Sequence, residues 1–165
     1  MSEVSPDVVH LFSILQQVEE RSKILKWATT RPWRRNTHIW YESELLVVDL
    51  HDLNTKLAKE TIHQCLNTLD QFETGALCFI TGMGKNSPGN FAKNRKMVMN
   101  LLRKKAQKNE SWSIHSPGMG RITLIFNPEK APRVATGQLD PSLKFGIGLF
   151  GFMLLFSMFH SCWPQ

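Results

Sequence analysis

Cysteine is scarce in this sequence, and the spacings in which cysteines act in pairs are missing. The 165 residues hold three cysteines, Cys65, Cys78 and Cys162, without a CxxC pair. This pattern argues against a disulfide framework and a cysteine-type zinc site, and it is typical of a reducing compartment. Cys65 and Cys78 lie in apolar patterns, which predicts that both are small core residues. The N-terminus also lacks the basic start and apolar core of a signal peptide.

Acidic residues are absent from a long central segment. Residues 74–109 contain no aspartate or glutamate, but they contain eight basic residues. These are Lys85, Lys93, Arg95, Lys96, Arg103, Lys104, Lys105 and Lys108. A field of one sign concentrates polyanions, and nucleic acid is the commonest such partner. The alternatives are a solvated helix face and a contact with anionic lipid.

Charge is also missing near the C-terminus, where Phe145 to Phe159 contains no charged residue. The nineteen residues from Phe145 to Trp163 would form a helix of ~28 Å, close to the thickness of a bilayer core. We expect residues 143–163 to be a transmembrane anchor rather than a buried core helix, because the preceding domain already has two helices for its sheet. Basic residues precede this segment and none follows it, so the positive-inside rule places the domain in the cytosol. A short, phenylalanine-rich span favours the endoplasmic reticulum.

Apolar periodicity predicts a two-layer α/β domain over residues 45–133, with a mixed sheet in the element order β-α-β-α-β-β. The strands are predicted at 45–50, 76–81, 112–115 and 121–126, and the helices at 54–72 and 88–109. The first strand is a continuous apolar run, as expected of a strand that is covered on both faces. Residues 134–142 form a linker to the C-terminal anchor.

Residues 1–44 are predicted to hold an amphipathic helix, from Pro6 to Ala28, and a linker over 29–43 that is both aromatic and basic. The linker interleaves Trp33, Trp40 and Tyr41 with Arg31, Arg34, Arg35 and His38. Aromatic rings between arginines can stack on unpaired bases while the cations hold phosphates. The interpretation that we favour is a strap whose tryptophans cover the surface of the domain.

Polar residues follow two of the predicted strands at the point where each strand ends. The strands at 45–50 and 76–81 are joined by one helix, so they should be parallel neighbours, with a ligand site beyond their carboxyl ends. Asp49 and His51 are two residues apart and point to one face, where a carboxylate can orient an imidazole or join it on a metal. The alternative is that Asp49 caps the loop and His51 is a satisfied, partly buried side chain.

A glycine-rich loop, Thr81 to Gly89, follows the second of these strands. Glycines let the backbone approach a ligand, and the N-terminus of the following helix favours phosphate. Lys85 adds a full charge, and Ser87 can cap the helix. The loop is neither a P-loop nor a GxGxxG motif, and the alternative is a turn that only needs positive φ angles.

The strand ends together resemble an Smr (small MutS-related) domain over roughly Leu45 to Arg133. Asp49-Leu50-His51 resembles its DLH(G) motif. Ile80-Thr81-Gly82-Met83-Gly84, with Ser87, resembles its ITGxGxHS loop. Gly118-Met119-Gly120 resembles its GGxG turn into the last strand. The resemblance implies a fold like the C-terminal domain of a bacterial translation initiation factor, nucleic-acid binding, and endonuclease activity of the kind found in several members.

Three residues depart from the family pattern. Asp52 stands where a glycine usually follows DLH, Asn86 replaces the histidine of the loop, and Met83 replaces a lysine or arginine. Asp52 places a second carboxylate beside the expected phosphate site. Asn86 can form hydrogen bonds but cannot transfer a proton near neutral pH.

We therefore expect a membrane-anchored Smr-domain protein that binds nucleic acid, RNA rather than DNA, and cleaves it as an endonuclease. Asp49 is expected to hold His51 or a divalent metal, and His51 to act as the general base. Nucleic-acid contacts are expected from Thr81, Gly82, Gly84, Lys85, Ser87, Lys93, Arg95, Lys96, Arg103 and Lys104. The alternative is a catalytically silent module that tethers nucleic acid or a ribosome-associated complex to a membrane.

Overall fold

The apolar runs of the sequence form the strands of one mixed sheet. The computed structural model describes residues 5–24, 32–42, 44–82, 92–118 and 120–133. The strands in these residues are β1 Ile39–Glu42, β2 Leu45–Asp49, β3 Ala76–Ile80, β4 Ser113–Gly118 and β5 Arg121–Ile125. Their order in the sheet is β1-β2-β3-β5-β4. β2 and β3 are parallel, and the other neighbouring strands are antiparallel.

The helices of the described residues are α1 Pro6–Ile14, α2 Gln16–Ile24, α3 Arg35–His38, α4 Thr55–Leu66 and α5 Lys93–Ala106. The chain order from β2 to β5 is therefore β-α-β-α-β-β, which confirms the predicted order. Asn54 caps α4, as expected, by accepting the backbone N–H of Leu57 at 2.9 Å. α4 ends at Leu66 rather than at 72, and a 3₁₀ turn, Leu69–Gln71, follows it.

The helices pack on one face of the sheet. Apolar side chains of β2, β3 and β5 on this face share a core with α1, α2, α4 and α5, and this core includes Leu46, Val48, Leu77, Phe79, Ile122 and Leu124. The opposite face carries a smaller cluster, Leu45, Val47, Ala76, Cys78 and Ile125, to which no described helix contributes. The two-layer arrangement is confirmed, and so is the burial of Cys65 and Cys78.

The placement of α4 and α5 bears on the predicted membrane span. All five residues of β2 are buried, as its continuous apolar run predicted, but α4 and α5 lie on the same face of the sheet. One face of the sheet therefore has no described helix on it, and the number of helices in the domain is no argument for a membrane span. No helix in the described ranges is long and apolar enough to cross a membrane. Residues 143–163, where the anchor was predicted, lie outside those ranges.

The N-terminal residues are joined to the core. The single helix predicted from Pro6 is two helices that break at Leu15, whose side chain is fully buried. Asp7 fixes α1, because its carboxylate accepts the backbone N–H groups of Glu73 at 2.7 Å and Thr74 at 3.0 Å and the hydroxyl of Tyr41 at 2.6 Å. Burial and this hydrogen bond to Asp7 raise the pKa of Tyr41.

Residues 32–42 are not the linker that was predicted. They form α3 and β1, and β1 extends the sheet by pairing with β2 from Ile39↔Val48 to Glu42↔Leu45. Little in the sequence indicates this strand, because β1 is only four residues long and lies at the edge of the sheet. An edge strand needs one apolar face and one hydrogen-bonding partner, so its hydrophobic signal is weak.

Candidate nucleic-acid site

Parallel pairing brings the carboxyl ends of β2 and β3 together, as predicted. Asp49 lies opposite Ile80 in the ladder, and the N–H of Leu50 donates to the carbonyl of Ile80 at 2.7 Å. The segments that follow are therefore neighbours. Gly82 has a φ of +71°, and a Cβ placed on it would lie 3.4 Å from the Cβ of His51. The backbone after β3 thus passes directly beside the imidazole that follows β2.

Asp49 orients the ring of His51. One oxygen of Asp49, Oδ1, accepts the backbone N–H of His51 at 3.0 Å and lies 2.6 Å from its Nδ1. A carboxylate only accepts hydrogen bonds, so Nδ1 carries a hydrogen and donates it. The other ring nitrogen, Nε2, then carries the lone pair of the neutral ring. Asp49 is buried and the side chain of His51 is 50 % exposed, so a substrate can reach the imidazole while its orienting group is shielded.

Trp33 supports Asp49 from the helical side of the sheet. Its indole Nε1 donates to the backbone carbonyl of Asp49 at 2.7 Å, and the residue is only 1 % exposed. A buried indole cannot stack on a nucleic-acid base. The favoured interpretation, in which the linker tryptophans cover the domain, is confirmed for Trp33.

Asp52 has two imidazole neighbours. Its Oδ2 lies 3.0 Å from Nε2 of His38 and 3.4 Å from Nε2 of His51. The motif comparison identified Asp52 as a departure from the family pattern but did not indicate His38 as its partner. The two residues are fourteen positions apart, and only the packing of α3 against the loop after β2 joins them.

The turn between β4 and β5 closes the site from the other side. The N–H and the hydroxyl of Thr81 both donate to the carbonyl of Gly120, at 2.7 and 2.9 Å. Thr81 is buried, and this bonding gives it a structural role beside the predicted one. The three sequence motifs of the Smr resemblance therefore meet at one edge of the sheet through Asp49, Gly82 and Gly120.

The start of α5 adjoins the same edge. The side-chain amide of Asn94 donates to the carbonyl of Leu53 at 2.9 Å and accepts the hydroxyl of Thr55 at 3.0 Å. These bonds tie the first turn of α5 to the loop that carries His51. Asn94 was not predicted from the sequence, since an asparagine in the first turn of a helix has many ordinary roles.

The predicted basic contacts divide between two faces of α5. Val98 and Leu102 are fully buried against the sheet. Four basic side chains are exposed on the opposite side at helical spacing: Lys93, Lys96, Arg103 and Lys104. We refer to these four residues as the basic stripe. Arg95 does not belong to it, because its guanidinium donates to the hydroxyl of Ser116 on β4 at 2.8 Å.

The other predicted site residues lie outside the described part of the chain. These are Gly84, Lys85 and Ser87, together with the departures Met83 and Asn86. The structure also describes no group of three or more histidine, cysteine, aspartate or glutamate side chains that could hold a metal ion, within the residues it covers. Asp49, the candidate metal ligand, lies in a direct hydrogen bond with His51.

Comparisons with known proteins give one similar structure. No protein-family model matches the sequence, and no curated protein matches it. The solution structure of the B3BP Smr domain is similar over 73% of this chain and 98% of that chain, with 16% identity and a TM-score of 0.36. The Smr domain is also the family that the motifs resemble. A similarity of this degree carries no information about function.

The close approach of two backbones gives a test of this site. A Cβ on Gly120 would lie 2.9 Å from the carbonyl carbon and oxygen of Gly82, whereas one on Gly118 would meet nothing within 4 Å. Both glycines have positive φ angles, so each alanine variant should lose about 1–2 kcal/mol of unfolding free energy from backbone strain.

Gly120→Ala should lose about 2 kcal/mol more than Gly118→Ala, because the added methyl group forces two backbone segments apart. Urea denaturation followed by circular dichroism measures both variants. Equal losses in the two variants would show that Gly82 and Gly120 are not in close contact.

Proposed function

We propose that this chain binds nucleic acid along the basic stripe and at the shared edge of β2 and β3, and cleaves it there as an endonuclease. The observation that carries the proposal is the position of the Asp49–His51 pair, which adjoins both the bare backbone of Gly82 and the first turn of α5. Without a side chain at Gly82, a phosphate can approach within reach of the imidazole. The stripe supplies the charge that attracts a phosphate backbone to this edge.

The length of the stripe fits a short single strand. From Lys93 to Lys104 a helix rises ~16 Å, which is the length of about five nucleotides of one strand. Because the stripe begins beside Asn94 and so beside the loop of His51, a strand that follows it is led to the imidazole. RNA is the substrate that we propose, since the domain is expected to face the cytosol.

In the proposed reaction His51 is the general base. Its Nε2 takes a proton from the attacking hydroxyl, which is either water or the ribose 2′-hydroxyl, while the oxygen attacks phosphorus and the P–O bond to the leaving group breaks. Asp49 holds the ring by its Nδ1–H and stabilises the imidazolium that forms. A positioned base of this kind contributes about 10²–10⁴-fold to a rate.

A second candidate is a binding module that does not cleave. Its support is Asp52, whose Oδ2 lies 3.4 Å from the ring nitrogen that a base would use. A carboxylate at this position opposes the approach of a phosphate. This candidate has the same binding surface and differs only in forming no product.

The basic stripe can be tested by binding. Lys93→Gln/Lys96→Gln should weaken binding of labelled single-stranded RNA and reduce the slope of log affinity against log salt by about 1.4, because two phosphate contacts are lost. Fluorescence anisotropy from low to high salt measures both quantities.

The matched control is Lys59→Gln/Lys130→Gln, which removes two exposed lysines that do not belong to α5. It should leave the salt slope close to that of the unaltered protein. If both pairs change the slope equally, the chain has a diffuse attraction to RNA and no binding stripe.

Cleavage should depend on His51 and Asp49. His51→Ala should reduce the rate at least 100-fold, and Asp49→Asn should also slow it, because the ring loses the carboxylate that orients it. Gel assays on end-labelled RNA and DNA, with and without divalent cations, follow the products of the full chain. RNA affinity should change less than twofold.

His115→Ala removes an exposed histidine from β4 and serves as the control. Unchanged cleavage by the Asp49→Asn/His51→Ala double variant would refute the catalytic assignment. Tight binding without any product from the unaltered protein would establish the non-catalytic candidate in its place.

We also propose that residues 143–163 anchor the protein in a membrane, with the domain on the cytosolic side and the endoplasmic reticulum as the membrane. The support is the uncharged sequence from Phe145 to Phe159 and the basic residues that precede it. The competing arrangement is that this segment covers the face of the sheet that carries the cluster of Leu45 and Val47, to which no described helix contributes.

Extraction of membranes at alkaline pH distinguishes these arrangements. The full chain should remain in the membrane pellet and co-localise with an endoplasmic-reticulum marker. Leu154→Arg/Leu155→Arg should release it, since each arginine costs about 2.5–3.5 kcal/mol at the centre of a membrane helix. The control substitution Gln138→Arg lies before the segment, and the protein that carries it should stay in the pellet. Release of the unaltered protein would refute the anchor.

A further inference from the structure

Two carboxylates and two histidines alternate in a continuous row of contacts at the candidate site. Asp49 contacts Nδ1 of His51 at 2.6 Å, Nε2 of His51 lies 3.4 Å from Oδ2 of Asp52, and that same oxygen lies 3.0 Å from Nε2 of His38. His38 and Asp52 are shielded, since their side chains are 10 % and 13 % exposed. The catalytic proposal uses only Asp49 and His51, so the second pair needs its own explanation.

His38 is held on three sides. Its Nδ1 lies 3.1 Å from the backbone nitrogen of Arg34, 2.9 Å from the carbonyl oxygen of Arg34 and 2.8 Å from the hydroxyl of Thr37. Its ring packs beside the buried indole of Trp33, with the ring centres 5.5 Å apart. Because a carboxylate only accepts, the Nε2 of His38 carries the hydrogen that binds Asp52. A ring that is fixed in this way sets the position of the carboxylate.

The two distances from Asp52 have different consequences. At 3.0 Å the contact to His38 is a full hydrogen bond, whereas 3.4 Å to His51 exceeds the usual N–H···O range of about 2.7–3.2 Å. Asp52 is therefore near enough to accept a hydrogen from Nε2 of His51 once that atom carries one, but it forms no hydrogen bond with Nε2 in the neutral ring. If His38 did not hold it, the carboxylate could turn towards Nε2 of His51 or towards the phosphate path.

We propose that His38 and Asp52 are positioning residues for His51. His38 holds the carboxylate of Asp52 at a fixed point beside the imidazole, where it limits rotation of the ring and accepts the Nε2 hydrogen after His51 has taken a proton. The same bond keeps the carboxylate of Asp52 from turning towards the path of a phosphate. The functional part of this inference rests on the proposed function, whereas the positioning part concerns the protein alone.

The free protein gives the first test. Two-dimensional ¹H–¹⁵N spectra of the histidine side chains, together with three-bond couplings, report the environment and the rotamer of the His51 ring. His38→Ala should shift the His51 ring signals and average its side-chain couplings. His38→Gln keeps an N–H donor of similar reach and should restore most of the original spectrum.

Binding and cleavage give the second test, through a double-mutant cycle on the full chain. His38→Ala should weaken RNA binding about fivefold, because the carboxylate loses its partner. The same change in an Asp52→Asn background should have little further effect, since no charge remains to be held. Cleavage should slow in both single variants, and His38→Gln should recover most of the loss that His38→Ala causes.

The outcomes separate the two proposals. Unchanged His51 signals in both His38→Ala and Asp52→Asn would overturn the positioning role whether or not the protein binds RNA. Additive effects of the two substitutions on RNA binding would show that His38 does not act through the carboxylate of Asp52. Altered His51 signals in a protein that binds no nucleic acid would instead refute the proposed function and leave the positioning role standing.

Discussion

Parallel pairing of β2 with β3 is the constraint on which the candidate site depends. It places the residues after Asp49 and the residues after Ile80 at the same edge of the sheet, and the Leu50 N–H···Ile80 carbonyl bond continues the pairing into the loops. Antiparallel pairing would put these ends on opposite edges. Because β5 pairs antiparallel with β3, its preceding turn reaches this edge as well, and Gly120 can receive both hydrogen bonds of Thr81.

The residues before β2 complete this edge. At the other end of the sheet, Asp7 fixes α1 to the turn before β3. Trp33, just before α3, binds the backbone of Asp49, and His38 at the end of α3 binds the side chain of Asp52. Residues that precede the motif-bearing domain thus support the site directly. A shortened chain that begins at residue 45 would lose the edge strand β1 together with both contacts.

Periodicity and turn chemistry predicted the middle of the fold well. The element order from β2 to β5, the cap at Asn54 and the convergence of Asp49, His51 and Gly82 all follow from local patterns and from the geometry of a βαβ unit. The helix break at Leu15 and the strand β1 were missed, because tertiary contacts decide them. Asp7 holds α1 by bonding to Glu73 and Thr74, which are 66 and 67 positions further along the chain. β1 depends on its pairing with β2.

The sequence by itself determined the chemistry available to this protein: an acid and a histidine two residues apart, a glycine loop, and a helix with basic residues and no acids. Tertiary structure alone decided which of these groups meet. It placed Arg95 against β4, buried Trp33, and gave Asp52 a histidine from α3 as its partner. The physical reason is that hydrogen-bond partners and burial depend on contacts between residues far apart in the chain. A sequence pattern reflects only a few turns of one helix or a few residues of one strand.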